Sequence, residues 1–222
     1  MNKTDIKLRN EAVSDYKAVE ELTREAFWNL HVPGCDEHYL MHAMRDADSF
    51  IKELDFVAEV NGKIVGNIAY TKAKIEADDG KTYEVVSFGP ISVLPEYQGK
   101  GIGGMLIEHT KKIAKELGYK AILIYGDPDY YSRFGFIAGE TFHIGSSDNM
   151  YDASLLAIEL YEGALSGISG RFVEDAIYEV DEAAAKEFDK GFPEKELRND
   201  LPSQERFREM LGMRSPRFDT VS

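Results

Sequence analysis

The chain has 222 residues, a hydrophobic fraction of 43% and a formal net charge of −14, enough apolar content for the packed core of one large domain, or one domain with a small annex. The surplus acid argues against nucleic acid and anionic membrane as partners, and no stretch approaches the roughly 18 apolar residues of a membrane helix. One cysteine, Cys35, excludes an internal disulfide and fits a reducing compartment.

The first residues, Met1 to Asp5, are polar and lack the apolar stretch of a signal peptide, so a cytoplasmic location is expected. Ile6 to Arg9 reads as a first strand. Ser14 is a candidate N-cap for a helix carrying Tyr16, Val19, Leu22, Ala26 and Phe27 at helical spacing. Pro33-Gly34 breaks it, and Asp36 opens a second helix with Tyr39, Leu40, Ala43, Met44 and Ala47 on one side. The period then changes. Two apolar runs, Phe56–Val60 and Lys63–Tyr70, flank Asn61-Gly62, a strong hairpin signal because both turn residues need positive φ. A second turn at Asp78-Asp79-Gly80 leads into a long strand, Tyr83 to Leu94.

That strand runs into Gln98-Gly99-Lys100-Gly101-Ile102-Gly103-Gly104, and a helical pattern follows through Met105, Leu106, Ile113, Ala114 and Leu117 to a stop at Gly118. The first turn of a helix carries amides without intrahelical partners, and the helix dipole adds positive charge there. Glycines let a ligand come close to the backbone. The stretch therefore reads as a cradle for a phosphate or pyrophosphate; a plain strand-to-helix joint is the alternative. A P-loop is excluded because Gly101, not Ser or Thr, follows Lys100. A dinucleotide fingerprint is satisfied by Gly99, Gly101 and Gly104, with Asp127 at about the right distance beyond, which keeps a nicotinamide-dependent oxidoreductase among the readings. The order of elements weakens it. Only one strand–helix–strand unit is visible, ending in Ala121–Tyr125, and hairpins precede it. The fold class is therefore α+β with a mixed, mostly antiparallel sheet.

Gly89-Pro90 interrupts the central strand, and proline cannot donate to a ladder, so a bulge or bend is expected there. Asp127-Pro128-Asp129-Tyr130-Tyr131-Ser132-Arg133-Phe134-Gly135-Phe136 reads as a short helix opened by Asp127 and Pro128 and stopped by Gly135. Another strand covers Leu155–Leu160, and Gly163 to Gly170 reads as a turn-rich connection. Helices are expected from Asp181 to Lys190 and from Ser203 to Leu211. Two segments follow from this reading: a domain over residues 1–170 and a helical C-terminal extension over residues 171–222, packed on the same domain.

Gln98, Gly101 and Gly103 match a Gln-x-x-Gly-x-Gly turn, and Tyr131-Ser132-Arg133-Phe134-Gly135-Phe136 matches a later Tyr-x-x-x-Gly-Phe motif. Together, from about Phe56 to Ala138, they resemble the GNAT superfamily of acetyl-CoA-dependent N-acetyltransferases. The Gly-Asp-Pro-x-Tyr-Tyr-x-Arg-Phe-Gly-Phe form resembles a bacterial subgroup of uncertain substrate. The resemblance implies a GNAT-like acyl-CoA N-acyltransferase fold, with the sheet splayed at the coenzyme site and helices flanking it. It implies acetyl-CoA as co-substrate, entering between the strand of Leu94 and the strand of Tyr125. The pyrophosphate would lie on the amides of Gln98, Gly99, Lys100, Gly101, Ile102, Gly103 and Gly104. The pantetheine arm would lie along the backbone of Ile91, Ser92 and Val93, and Tyr131 would be the proton donor to the leaving thiolate. Many relatives carry a glutamate on the central strand; here that place falls near Val86 or Ser87, with Glu84 the nearest carboxylate, and a water relay to bulk solvent is the preferred substitute. The missing glutamate motivates a second reading, a non-catalytic acyl-CoA-binding sensor. The acceptor would be a small-molecule or peptide amine, and the protein a monomer or homodimer. His31, Cys35, His38 and His42 lie close in sequence, but the same region resembles the helix pair over the acceptor cleft, and no metal is expected.

Overall fold

The computed structural model describes residues 6–217; Met1 to Asp5, read above as free of a signal segment, and the end of the chain after residue 217 lie outside them. In chain order the elements begin with β1 (Ile6–Asn10), α1 (Tyr16–Phe27), α2 (Glu37–Met44), β2 (Phe56–Val60), β3 (Lys63–Ala77) and β4 (Thr82–Val93). They continue with α3 (Ile102–Glu116), β5 (Ala121–Tyr125), α4 (Pro128–Tyr131), β6 (Ile137–Ala138), β7 (Ile144–Gly145), β8 (Met150–Asp152) and β9 (Leu155–Glu159). β10 (Gly170–Val173), α5 (Glu182–Asp189), α6 (Pro202–Leu211) and β11 (Arg214–Pro216) complete the chain. Among the described residues two units are distinguished, one of residues 6–70, 89–110 and 176–205, the other of residues 71–88, 111–175 and 206–217. Strands β3 and β4 and helix α3 each contribute residues to both, as does the expected C-terminal extension.

In the first unit β1 pairs antiparallel with β2, and β2 with β3. The hairpin turn takes φ of +51° at Asn61 and +79° at Gly62, the primed geometry that matches strand twist. Val19 of α1 and Leu40, Met41 and Met44 of α2 bury their faces against Val57 and Ala69 of the sheet. The start of α1 differs from expectation. A short 3-10 turn, Val13–Asp15, precedes it, and Ser14 makes no cap. Asp15 stands at the N-cap position of α1 without a side-chain cap bond; its carboxylate instead reaches back to accept from the Ala12 amide at 2.8 Å and binds Arg9, which holds it below the usual carboxylate range. Asp181 caps α5 as expected, accepting from the amides of Ala183 and Ala184.

In the second unit β5 pairs antiparallel with β9, β6 with β9, and β10 with the end of β3. Parallel pairing is confined to β4 with β5, registered at Val86↔Ile122, and to β10 with β7. β11 pairs with β8. Ile75, Val85, Leu123, Leu155, Ala157 and Phe172 form its core. This mixed, mostly antiparallel arrangement is the α+β architecture read from the sequence, and a doubly wound dinucleotide domain does not fit it. β10 differs from expectation: Gly170 is the last residue of the expected turn-rich connection, and Arg171–Val173 fall in the expected helical extension, yet the four form a strand.

Candidate active site

The glycine-rich turn lies in the first unit, between a 3-10 turn at Pro95–Tyr97 and α3. Gly99 and Gly101 take φ of +70° and +84°, left-handed values that side chains with a Cβ disfavour. A Cβ at either position would meet no atom within 4 Å, so the surface there is open. The first helical hydrogen bond runs from the Met105 amide to Gly101 O at 3.0 Å. The amides just before Met105 are the orphan donors of the helix start, with the dipole behind them. Gln98 donates its side-chain amide to Val93 O at 3.0 Å, tying the turn to the end of β4. Lys100 donates to Glu96 O at 2.6 Å and lies 4.9 Å from the Tyr97 ring. Gln98, Gly99, Lys100 and Gly101 are exposed; Ile102 and Gly103 are buried and Gly104 half-buried.

Ile91 and Val93 are half-buried, whereas Ser92 is 1% exposed. The Ser92 hydroxyl donates to Thr23 Oγ1 at 3.3 Å, and Thr23 in turn to Asn67 Oδ1 at 3.4 Å. Its side chain therefore points into the core, and any ligand contact at Ser92 is confined to its main chain. The Ser92 carbonyl and Ile102 also crowd Gly66 of β3, where a Cβ would come within 3.1 Å of Ser92 O and 3.0 Å of Ile102 Cγ2.

Tyr131 lies in the second unit. Asp127 caps α4 by accepting from the Asp129 amide at 2.9 Å, Pro128 fills the first helical position, and Gly135 ends the following 3-10 turn at φ +87°. All three signals were legible. Arg206 of α6 reaches both Asp127 (3.4 Å) and Asp129 (2.8 Å), so the C-terminal segment is tied to this short helix. The Tyr131 ring is held by Phe88 (5.8 Å), Phe136 (5.9 Å) and Tyr130 (4.9 Å, edge-on). Gly126 lies against it, where any Cβ would overlap the ring. Burial pushes the phenol above its usual value, so it stays protonated at neutral pH.

One carboxyl in this unit was not singled out from the sequence. Glu174 follows β10 directly, and its Oε1 accepts from the Ser87 hydroxyl of β4 at 3.3 Å. Burial, opposed by that hydrogen bond, pushes the Glu174 carboxyl up to about 7. The absence of a carboxylate at Ser87 was the available hint; the partner lies 87 residues away. Glu84, the nearest carboxylate in sequence, is exposed.

The histidine cluster divides among separate partners in the first unit. His38 is fully buried, with Nε2 at 3.0 Å from Asp189 Oδ1 and Nδ1 at 3.6 Å from Cys35 Sγ. Arg24 clamps the same aspartate at 2.6 Å. Burial lowers the His38 pKa and raises that of the Cys35 thiol, so the thiol is not an activated nucleophile. His42 Nδ1 meets Glu20 at 2.9 Å, and His31 lies 3.7 Å from Glu37. Among the described residues no group of three or more His, Cys, Asp or Glu is arranged to hold a metal, and no helix is long and apolar enough to cross a membrane.

Comparison with known proteins bears on the same segment. Residues 52–138 match the model of the acetyltransferase (GNAT) domain. The N-acetyltransferase YhbS of Escherichia coli is 25% identical over 163 residues, 73% of this chain and 92% of that protein. MJ1207 of Methanocaldococcus jannaschii is 35% identical over 98 residues, 41% of this chain and 40% of that one. The crystal structure of Escherichia coli YhbS in complex with CoA superposes with a TM-score of 0.70 at 23% identity, covering 79% of this chain and 93% of that one. A GNAT acetyltransferase from Brucella melitensis in complex with acetyl-CoA gives 0.63 at 26% identity, covering 78% and 97%. Residues 52–138 are thus a GNAT acetyltransferase domain, and the chain is a protein of the GNAT fold.

Proposed function

We propose that this protein transfers the acetyl group of acetyl-CoA to a primary amine, by direct attack of the amine on the thioester. The observation that carries the reading is the open glycine turn at the start of α3, within a matched acetyltransferase domain. The amides from Gln98 to Gly104 take the pyrophosphate. Main-chain groups of Ile91, Ser92 and Val93 take the pantetheine arm, and those of Ile91 and Val93 polarise the thioester carbonyl, where negative charge develops during attack. The Tyr131 hydroxyl gives its proton to the departing thiolate. The acceptor is a small-molecule or peptide amine; a cytoplasmic, bacterial setting, no resident metal, and a monomer or homodimer complete the reading.

Calorimetry with acetyl-CoA, coenzyme A and NADH, followed by thiol release with a panel of primary amines, tests it. Binding of acetyl-CoA with amine-dependent thiol release is the expected outcome, and binding of NADH alone would refute it. The lack of a carboxylate side chain at Ser87 of β4 favours a second reading, an acyl-CoA-binding module without turnover, which predicts binding and no thiol release.

A further inference from the structure

We propose that Glu174 is the general base that frees the attacking amine of its proton. The proposal rests on the acetyltransferase reading above and identifies a residue for a step that reading leaves unassigned. An aliphatic amine is an ammonium at neutral pH, with a reference pKa near that of lysine, about 10.4. It cannot attack until it loses a proton, so a nearby acceptor speeds the reaction.

Geometry places Glu174 just past the end of β10 and against β4. β10 pairs with β3 through Val173↔Lys74, and strand alternation puts Phe172 and Glu174 on one face. The Phe172 ring lies 5.9 Å from that of Tyr125, at the end of β5, and packs with Val85 and Leu123. Glu174 continues that face and accepts from buried Ser87 of β4. The next residue, Phe88, points to the opposite face, where its ring meets Tyr131. Glu174 and Tyr131 therefore stand on opposite faces of β4, just past its parallel register with β5 at Val86↔Ile122. A base on one face can take the proton of an amine adding to the trigonal thioester carbon, while a donor on the other protonates sulfur as the tetrahedral intermediate collapses.

The electrostatics agree. Among the described residues no cation pairs with Glu174, and its carboxyl is pushed up to about 7, matched to proton transfer near neutral pH. The groups around it are the Ser87 hydroxyl and the Tyr125 phenol, whose own pKa is raised by burial first and by Glu174 next. Beyond Tyr125 lie Asp148, Asp152 and Arg214. In the step itself Glu174 takes one proton from R–NH3+, and the amine lone pair forms the N–C bond. The C–S bond then breaks as Tyr131 protonates sulfur, and the nitrogen returns its extra proton to Tyr131. Glu174 releases its proton to water, so the balance is one amide, one thiol and one H+.

The experiment compares wild type with Glu174→Gln, Glu174→Asp and Ser87→Ala. Acetyl-CoA affinity is measured by calorimetry, thiol release with ethanolamine, spermidine and a lysine-containing peptide from pH 5.5 to 9, and folding by thermal melt. Wild-type kcat/KM should rise with pH through a limb near 7. Glu174→Gln should keep its acetyl-CoA affinity and lose roughly 10²–10⁴-fold in kcat together with that limb. Glu174→Asp should recover part of the rate. Ser87→Ala removes a hydrogen bond that favours the carboxylate, so its limb should move to higher pH. Failure of wild type to bind acetyl-CoA sinks the functional reading itself. Normal binding with undiminished turnover and an intact limb in Glu174→Gln overturns the base assignment alone, whereas binding by wild type without turnover of any of the three amines overturns it together with the acetyltransferase reading, in favour of the module without turnover.

Discussion

Gly126→Ala is the sharpest probe of how Tyr131 is positioned. The Gly126 amide donates to Ser154 O at 2.9 Å, so the backbone at this point is pinned to the loop before β9 and does not yield easily. A Cβ there would lie 2.7 Å from Tyr131 Cδ2, with Cε2 closer still. Ordinary contact needs about 3.5–4 Å, so the ring must retreat by about 1 Å, against Phe88, Phe136 and Tyr130. Overpacking of this kind costs about 1–3 kcal/mol. A misplacement of about 1 Å of a group that acts on the reacting atoms costs roughly 10²-fold in rate. The expected result is a kcat lower by about that factor, with acetyl-CoA affinity nearly unchanged, because the first-unit turn is untouched. Steady-state kinetics, calorimetry and a thermal melt read the three quantities separately. A double mutant with Tyr131→Phe should be little slower than the worse single variant, since both act on one hydroxyl. A stable Gly126→Ala protein with wild-type kcat would refute the claim that the ring must be held where it stands.

Tyr131→Phe itself keeps the ring and removes the donor, so kcat should fall by roughly 10²–10⁴-fold while Tyr130→Phe stays near wild type; turnover on both variants decides it. Gly103→Val places a branched side chain in the first turn of α3, and calorimetry should show coenzyme A weakened far more than a pantetheine fragment lacking the pyrophosphate. Equal losses for the two ligands would show that the turn does not hold the pyrophosphate.

The match to an acetyltransferase domain over residues 52–138 and the α+β fold were legible because their signals are local. The Asn61-Gly62 hairpin, the Gln98–Gly104 turn and the Asp127-Pro128…Gly135 helix each fix backbone angles within a few residues, and each is as expected. Ser14 is no cap because it lies inside the 3-10 turn Val13–Asp15, whose last residue binds Arg9, six residues away. Ser92 was read for its strand position alone; its partner Thr23 is 69 residues distant, and only that contact shows the side chain facing the core. Glu174 was invisible for the same reason. Its place depends on β10 joining β3, a pairing between segments about 100 residues apart, and four residues between glycine-rich loop and turn carry too little pattern to announce a strand.

Glu174 also makes a prediction in stability, of opposite sign to its prediction in rate. A carboxyl raised to about 7 in the folded protein, against an ordinary 4.5, binds a proton in the native state that the unfolded chain has already released. As pH rises from about 4.5 through 7 the native state gives up this advantage, and above 7 it carries a desolvated carboxylate. Stability is therefore fully present below about 4.5 and declines across that window. At 1.36 kcal/mol per pH unit the gap corresponds to at most about 3 kcal/mol, reduced by whatever solvent reaches a side chain that is only half-buried. Glu174→Gln removes the titration and leaves an amide that still accepts from Ser87. The variant should melt higher than wild type at pH 8, and the difference should shrink toward pH 5. A carboxylate placed for stability would behave in the reverse way: its loss would lower the melting temperature, most at high pH. Thermal melts of the two proteins from pH 5 to 8.5 distinguish the cases without any acceptor substrate. A Glu174→Gln protein that is less stable than wild type at pH 8 would mean that the buried carboxylate is a structural asset, and the argument that its burial is tolerated for the sake of proton transfer would fail.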